Sequence, residues 1–317
     1  MMTRRAIARP DLILLILAAT CWGLGTVISK RALDEIPPLT LLPIQLAVSL
    51  AVLLVLMRSR GVSVRGGGPA LIGRLGILNP GLAYALTLIG LVTISASVSV
   101  LIGVLEPIMI LALAAVFLHE RITPALVILS AIAVAGMIMV VYDPSSEGQA
   151  IGVAFALAGV GCCAIYTVAT RRLLPEAAET GQVVFAQQAH ALGFAAILVA
   201  VVGLVGGSVA PTSLTPIGIA SALASGALYY AGAYWFYLGA LRHVPASVAS
   251  VSYYLIPIVG IAAGGLFLGE RLDPLQWVGV AIVLTAVVAI FRLRSDAAPE
   301  ATTAAAMNAT ASRTARP

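Results

Sequence analysis

The sequence predicts an all-α polytopic membrane protein with ten transmembrane helices arranged as two inverted five-helix repeats. Three observations lead there. Of the 317 residues, 61% are hydrophobic and 10% charged, with a mean hydropathy of +1.06, where a water-soluble domain carries about 25% charged residues. Ten apolar stretches are long enough to cross a bilayer. In lipid only helices or closed barrels satisfy the backbone, and the short alternating strands of a barrel are absent. Finally, the second half of the chain repeats the first at a constant offset.

The elements follow in order. Residues 1–11, MMTRRAIARPD, form a basic cytoplasmic N-terminus. The apolar run that begins at Leu12 is too long for a signal-peptide core and reads as a retained first helix over 12–29. Further spans fall near 38–57, 71–92, 95–118 and 124–142, completing a first repeat over 12–142. The second repeat, 149–292, holds spans near 149–170, 182–205, 215–241, 246–268 and 275–292. Residues 293–317, rich in Ala, Thr and Arg without apolar periodicity, read as a disordered cytoplasmic tail. With both termini cytoplasmic, only Lys30, Arg31 and Arg271 of the 18 basic residues fall outside. An error of one helix would scramble this asymmetry.

The repeat is visible residue by residue. AAVFLHERITP (114–124) matches GGLFLGERLDP (264–274) at an offset of 150. SASVSVLIGVLEPI (95–108) lies over PASVASVSYYLIPI (245–258), Tyr84 over Tyr234 and Pro107 over Pro257. TVISKR (26–31) lies over TVATRR (167–172) at a slightly different offset. Five helices per half is an odd number, so the halves enter the membrane from opposite faces, the architecture of alternating-access carriers. In the two ERxxP turns, Thr123 and Asp273 stand at N-cap positions and Pro124 and Pro274 at the first helical position. Glu120 and Glu270 are placed to bind free backbone groups or the neighbouring Arg121 and Arg271.

These motifs, with a proline mid-helix in each half, resemble the drug/metabolite transporter superfamily, EamA type, over nearly the whole chain to about Arg292. The resemblance implies a secondary transporter of the cell inner (plasma) membrane, usually an exporter of amino acids or other metabolites. It also implies a cavity lined mainly by the first, third and fourth helices of each half.

Glu106 is the candidate of greatest interest. It lies within the apolar run LIGVLEPIMILAL (101–113), where a charged group costs roughly 2.5 to 3.5 kcal/mol on insertion scales. Two roles fit it. A neutral acid could bond a carbonyl freed by Pro107, or the group could bind a substrate amine or a coupling proton. The repeat favours the second role: the kinking prolines Pro107 and Pro257 recur, but Ile256 stands opposite Glu106, so a kink does not require an acid.

Around it the sequence offers aromatic and polar groups inside spans. Tyr230, Tyr234 and Tyr237 follow i, i+4, i+7 spacing within ALYYAGAYWFYLGAL (227–241) and should share a helix face able to stack on a planar or cationic substrate. Trp22, Tyr84 and Tyr253 are candidates of the same kind, and Asn79 a candidate cavity donor. His190 could titrate near neutral pH, although a lone histidine commonly serves packing. Gln45 and Gln187, equivalent at an offset of 142, suit bonds between helices.

No metal or other cofactor is expected: Cys21, Cys162 and Cys163 lack metal-ligand spacing, and no phosphate-binding glycine loop occurs. Nucleic acid is not an expected partner, since the basic residues sit in short loops and at the ends. The expected partners are a small-molecule substrate, the lipid bilayer and protons, with monomer and dimer both compatible. An intramembrane enzyme would need convergent catalytic groups, and the other acids lie in loops. An unaccompanied acid with no mid-span Lys or Arg suits an amine, an amino acid or a cation better than a phosphate ester. A facilitative uniporter of cationic or aromatic compounds, with Glu106 structural, is the alternative carrier.

Overall fold

The computed structural model describes residues 9–64, 70–106, 108–109, 112–113, 124–141, 149–173, 179–241, 255–286 and 288–289. Pro107, Tyr253, the HERITP turn and the tail lie outside these residues. Among the described residues every regular element is helical. The helices are α1 (Arg9–Leu33), α2 (Pro38–Ser59), α3 (Ala70–Gly76), α4 (Ala83–Thr93), α5 (Ala96–Gly103) and α6 (Pro124–Val141). The second half supplies α7 (Gln149–Leu173), α8 (Thr180–Leu204), α9 (Pro216–Ser225), α10 (Ala233–Leu241), α11 (Leu255–Phe267) and α12 (Pro274–Ala286). Among the described residues five segments are long and apolar enough to cross a membrane: Pro10–Leu33, Pro38–Ser59, Ala70–Thr93, Gln149–Thr170 and Gly181–Leu204. Three shorter apolar helices, Val127–Val140, Leu255–Phe267 and Pro274–Ala286, accompany them.

The first helix runs four residues beyond the stretch read from hydropathy. Lys30 extends it because its ammonium is satisfied without water: Nζ donates to the carbonyls of Leu91 (2.6 Å), Val92 (3.1 Å) and Ile94 (2.9 Å) at the end of α4. A cation on exposed carbonyls complements the negative end of a helix. The third span is interrupted. A kink over Ile77–Leu82 separates α3 from α4: Asn79 within it is extended (φ −145°, ψ 121°), and the Asn79–Pro80 peptide is cis. A π-helical segment, Gly226–Gly232, separates α9 from α10. The two coincide at the 150-residue offset seen in the sequence.

A further pair of contacts crosses between the halves. Gly76 presses on the backbone of Gln187 in α8, with no room for a Cβ, and Gly226 presses on the backbone of Gln45 in α2. Small residues let helix backbones touch in lipid, where packing and interhelical hydrogen bonds replace the hydrophobic effect. The glutamines then bond across helices. Gln45 Nε2 donates to Ser29 (2.9 Å) and Ser225 (2.7 Å), while Gln187 accepts from Tyr166 (2.7 Å) and donates to the Ile72 carbonyl (3.3 Å).

Helix starts are capped as their sequences dictate. Asp273 accepts from the Gln276 amide N–H (2.8 Å), and Gln276 Oε1 accepts from the Asp273 N–H (3.0 Å), a reciprocal box that starts α12 with Pro274 at its first position. Glu270 does not turn back on its own connection. Its carboxylate accepts from the N–H groups of Ala96 and Ser97, at the start of α5 in the other half. Glu35, between α1 and α2, does the same for α9 by accepting from the Thr215 N–H (2.9 Å) and hydroxyl (2.7 Å). The Thr215 hydrogen bonds, aided by Arg31, hold the Glu35 carboxyl below its ordinary range.

Candidate functional site

The packed interior joins α1, α4, α10 and the π segment through aromatic rings. Trp22 meets Tyr234 (centroids 5.7 Å apart) and Tyr237 (5.5 Å), and Tyr84 meets Tyr229 (5.3 Å) and Tyr230 (5.2 Å), all near edge-on. Edge-to-face contact aligns the positive ring edge with a neighbour's negative face. The hydroxyls of Tyr84 and Tyr234 lie 3.0 Å apart and hydrogen bond. Gly25 in α1 makes this possible: a Cβ there would lie 2.7 Å from Cβ of Tyr229.

Of the tyrosines grouped by helical spacing, Tyr230 and Tyr234 both meet Tyr84, and Tyr234 and Tyr237 both meet Trp22. The π segment between α9 and α10 carries Tyr229 and Tyr230, and both reach Tyr84. Tyr229, Tyr234 and Tyr237 pack with Trp22, whereas Tyr230, 2% exposed, belongs to a neighbouring cluster with Leu42, Leu46 and Leu88. A small recess of about 20 Å³ lies between these groups, lined by Thr26 and Ser29 of α1, Tyr84, Thr87, Leu88 and Leu91 of α4, and Tyr229 and Tyr230.

Glu106 follows the turn at Val104 and Leu105 that ends α5. It is half-buried and close enough to Cys163, Tyr166 and Tyr229 to interact with them electrostatically. Its counterpart Ile256 packs with Trp22, Tyr234 and Tyr237. The two positions thus differ in kind: Ile256 packs on the aromatic cluster, and Glu106 acts on Tyr166 and Tyr229 through its charge.

The remaining residues singled out in the sequence are distributed unevenly. Trp22, Tyr84, Tyr230 and Tyr234 come together, with Glu106 on the Tyr166 and Tyr229 side. Asn79 is buried and its Oδ1 has no hydrogen-bond partner among the described residues. Pro257 is buried within α11. His190 is exposed on α8, bonds the Ala186 carbonyl of its own helix (2.8 Å) and packs beside Gly73 of α3, away from the recess. Pro107 and Tyr253 lie outside the described residues. Sequence reasoning missed Thr26, Ser29 and Thr87 as lining residues and gave Tyr229 no separate weight. The signal for Tyr229 was its place opposite Asn79 in the repeat.

The EamA-like transporter family model matches twice, over residues 10–142 and 150–292. The chain belongs to the EamA-like transporter family. It is thus a multi-pass helical membrane protein with a transporter's relation to a small-molecule substrate and to lipid. An uncharacterized transporter of Archaeoglobus fulgidus is 28% identical over 288 residues, spanning 89% of this chain and 99% of its own length. A protein of Streptantibioticus cattleyicolor named a probable terminal-alkyne amino-acid exporter is 29% identical over 214 residues, covering 68% and 70% of the two chains. A protein known from a crystal structure shares the fold, with a TM-score of 0.63 at 19% identity over 91% of this chain and 99% of its own. Within the EamA family frame, the aromatic recess is the candidate substrate cavity.

Proposed function

We propose that this EamA-family protein is a secondary exporter of an amino acid or a related amine. It sits in the inner membrane with both termini cytoplasmic and works by alternating access of two inverted five-helix halves. The observation that carries this reading is an acid, Glu106, within electrostatic range of Tyr166 and Tyr229. A carboxylate beside ring faces suits an ammonium group, which gains from both the charge and the aromatic quadrupoles. The Streptantibioticus relative, named as an amino-acid exporter, supports the same substrate class.

The alternating-access part rests on symmetry. A residue can bond its own repeat equivalent only where the two-fold axis passes, and Tyr84 bonds Tyr234, its equivalent at 150. The helix interruptions at equivalent positions and the crosswise Gly76–Gln187 and Gly226–Gln45 contacts support the same axis. Exchanging the conformations of two such halves would turn an outward-open cavity inward. Glu106, present in one half alone, then offers a single binding or proton site on a symmetric frame.

The abundance of rings in the recess favours one alternative, a facilitative uniporter of cationic or aromatic compounds in which Glu106 only supports packing. Proteoliposomes loaded from a panel of amino acids and amines separate the two. Saturable flux with counterflow is expected, and Glu106→Gln should lower it by about tenfold or more, or abolish its pH dependence. Near-normal flux with unchanged pH dependence in Glu106→Gln would assign the acid to packing. Absence of saturable flux across the panel would refute the substrate class.

A further inference from the structure

The break between α4 and α5 is held by opposite charges from two directions. Lys30 closes the C-terminal carbonyls of α4 with three hydrogen bonds. Glu270, from the other half of the chain, closes the first N–H groups of α5: Oε1 accepts from Ala96 N–H at 2.7 Å, and Oε2 from Ser97 N–H at 3.0 Å and the Ser97 hydroxyl at 2.6 Å. Each charge matches the helix end it meets. The two charges also attract one another. Ala96 and Ser97 are buried. Gly264 in α11 leaves the space the carboxylate occupies, since a Cβ there would lie 2.5 Å from Oε2.

This assembly adjoins the recess. Ser29, next to Lys30, and Leu91, whose carbonyl Lys30 binds, both line it. We propose that Glu270 and Lys30 form a latch that closes this end of the recess by tying α11 of the second half to α5 of the first, and that it must release for cargo to pass. Releasing it exposes five backbone groups at two helix ends, so closure is favoured until another contact compensates. The latch is a positioning device, and cargo need not touch either residue.

The inference rests on the alternating-access reading, but its test needs no substrate, so its failure leaves the flux experiment independent. In a background lacking Cys21, Cys162 and Cys163, Thr87→Cys places a thiol in the recess. A maleimide that cannot cross the membrane is applied to the face carrying Lys30, and the labelling rate is measured. Glu270→Ala and Lys30→Met should each raise the rate by about tenfold, and Ser97→Ala, which removes one of Glu270's three bonds, by about threefold. Ser49→Cys, fully buried and bonded to Gln188 in a different part of the interior, should label no faster in the same variants. An unchanged Thr87→Cys rate in folded Glu270→Ala, or an equal rise at Ser49→Cys, would overturn the latch. If Glu270→Ala does not fold, Ser97→Ala decides by the same two rates.

Discussion

Replacing Gly76 by alanine tests the packing that sets the cavity walls. A Cβ at Gly76 would overlap the carbonyl oxygen and carbonyl carbon of Gln187 and come within 2.6 Å of its Cα. All three atoms are backbone, so no rotamer change relieves the clash and α3 must move off α8. Overpacking of this kind costs about 1–3 kcal/mol. Gly161, in the interior of α7, provides the contrast: nothing lies within 4 Å of a Cβ built there. Its alanine variant should be neutral or gain up to about 1 kcal/mol from helix propensity. Thermal unfolding in detergent, followed by tryptophan fluorescence, reads both. Gly76→Ala should unfold several degrees below the parent, and Gly161→Ala at or above it. Moving α3 also disturbs the Gln187–Ile72 and Gln187–Tyr166 bonds, so flux should fall in Gly76→Ala alone. Equal unfolding temperatures for the two variants would show that the α3–α8 contact is looser than described, and the argument would fail.

Tyr84→Phe and Tyr234→Phe should each weaken transport, and the double variant should be no worse than the weaker single, because both remove one shared hydrogen bond worth about 1 kcal/mol; additive losses in flux kinetics would contradict the pairing. Asp273→Ala breaks the reciprocal cap of α12 and should lower stability by about 1 kcal/mol in the same unfolding assay. Glu35 supplies a pH dependence. Its carboxyl titrates below the ordinary value when folded, so its stabilising contribution is complete above that ordinary value, near 4.3, and is lost as pH falls through the lower folded one. Unfolding temperature should therefore drop on acidification below about pH 4, and Glu35→Gln should show a smaller drop.

Much of this molecule is written in its sequence because lipid permits few solutions. Apolar length and caps locate helices, which is why Pro38, Pro124, Pro216 and Pro274 all begin helices in the structure. Polar amides inside spans predict bonds between helices, and Gln45 and Gln187 make them. What hydropathy cannot show is where a helix changes its winding. The kink at Ile77–Leu82 and the π segment at Gly226–Gly232 break the 3.6-residue register, and a face inferred from that spacing separates Tyr229 from Tyr230 although both meet Tyr84. His190 illustrates a second limit. Its titration range invited a functional role, but one helical turn decides between cavity and exterior, and it lies on the exterior.

The division between what repeats and what does not has a physical basis. Features recurring at the 150-residue offset, namely the helix interruptions, the tight glycines and the tyrosine pair, concern how backbones approach and where rings meet. Each must work in both halves if the halves are to exchange conformations. Features that break the repeat add polarity: Glu106 against Ile256, and Asn79 against Tyr229. A polar group buried in a membrane protein needs a partner, and the Asn79 oxygen has none among the described residues. At Asn79, then, a ligand can contribute the hydrogen bond that the described residues do not supply. On that argument Asn79→Ala should alter substrate affinity more than stability, since no internal hydrogen bond of its side-chain oxygen is lost. A large fall in unfolding temperature with unchanged flux kinetics would refute it.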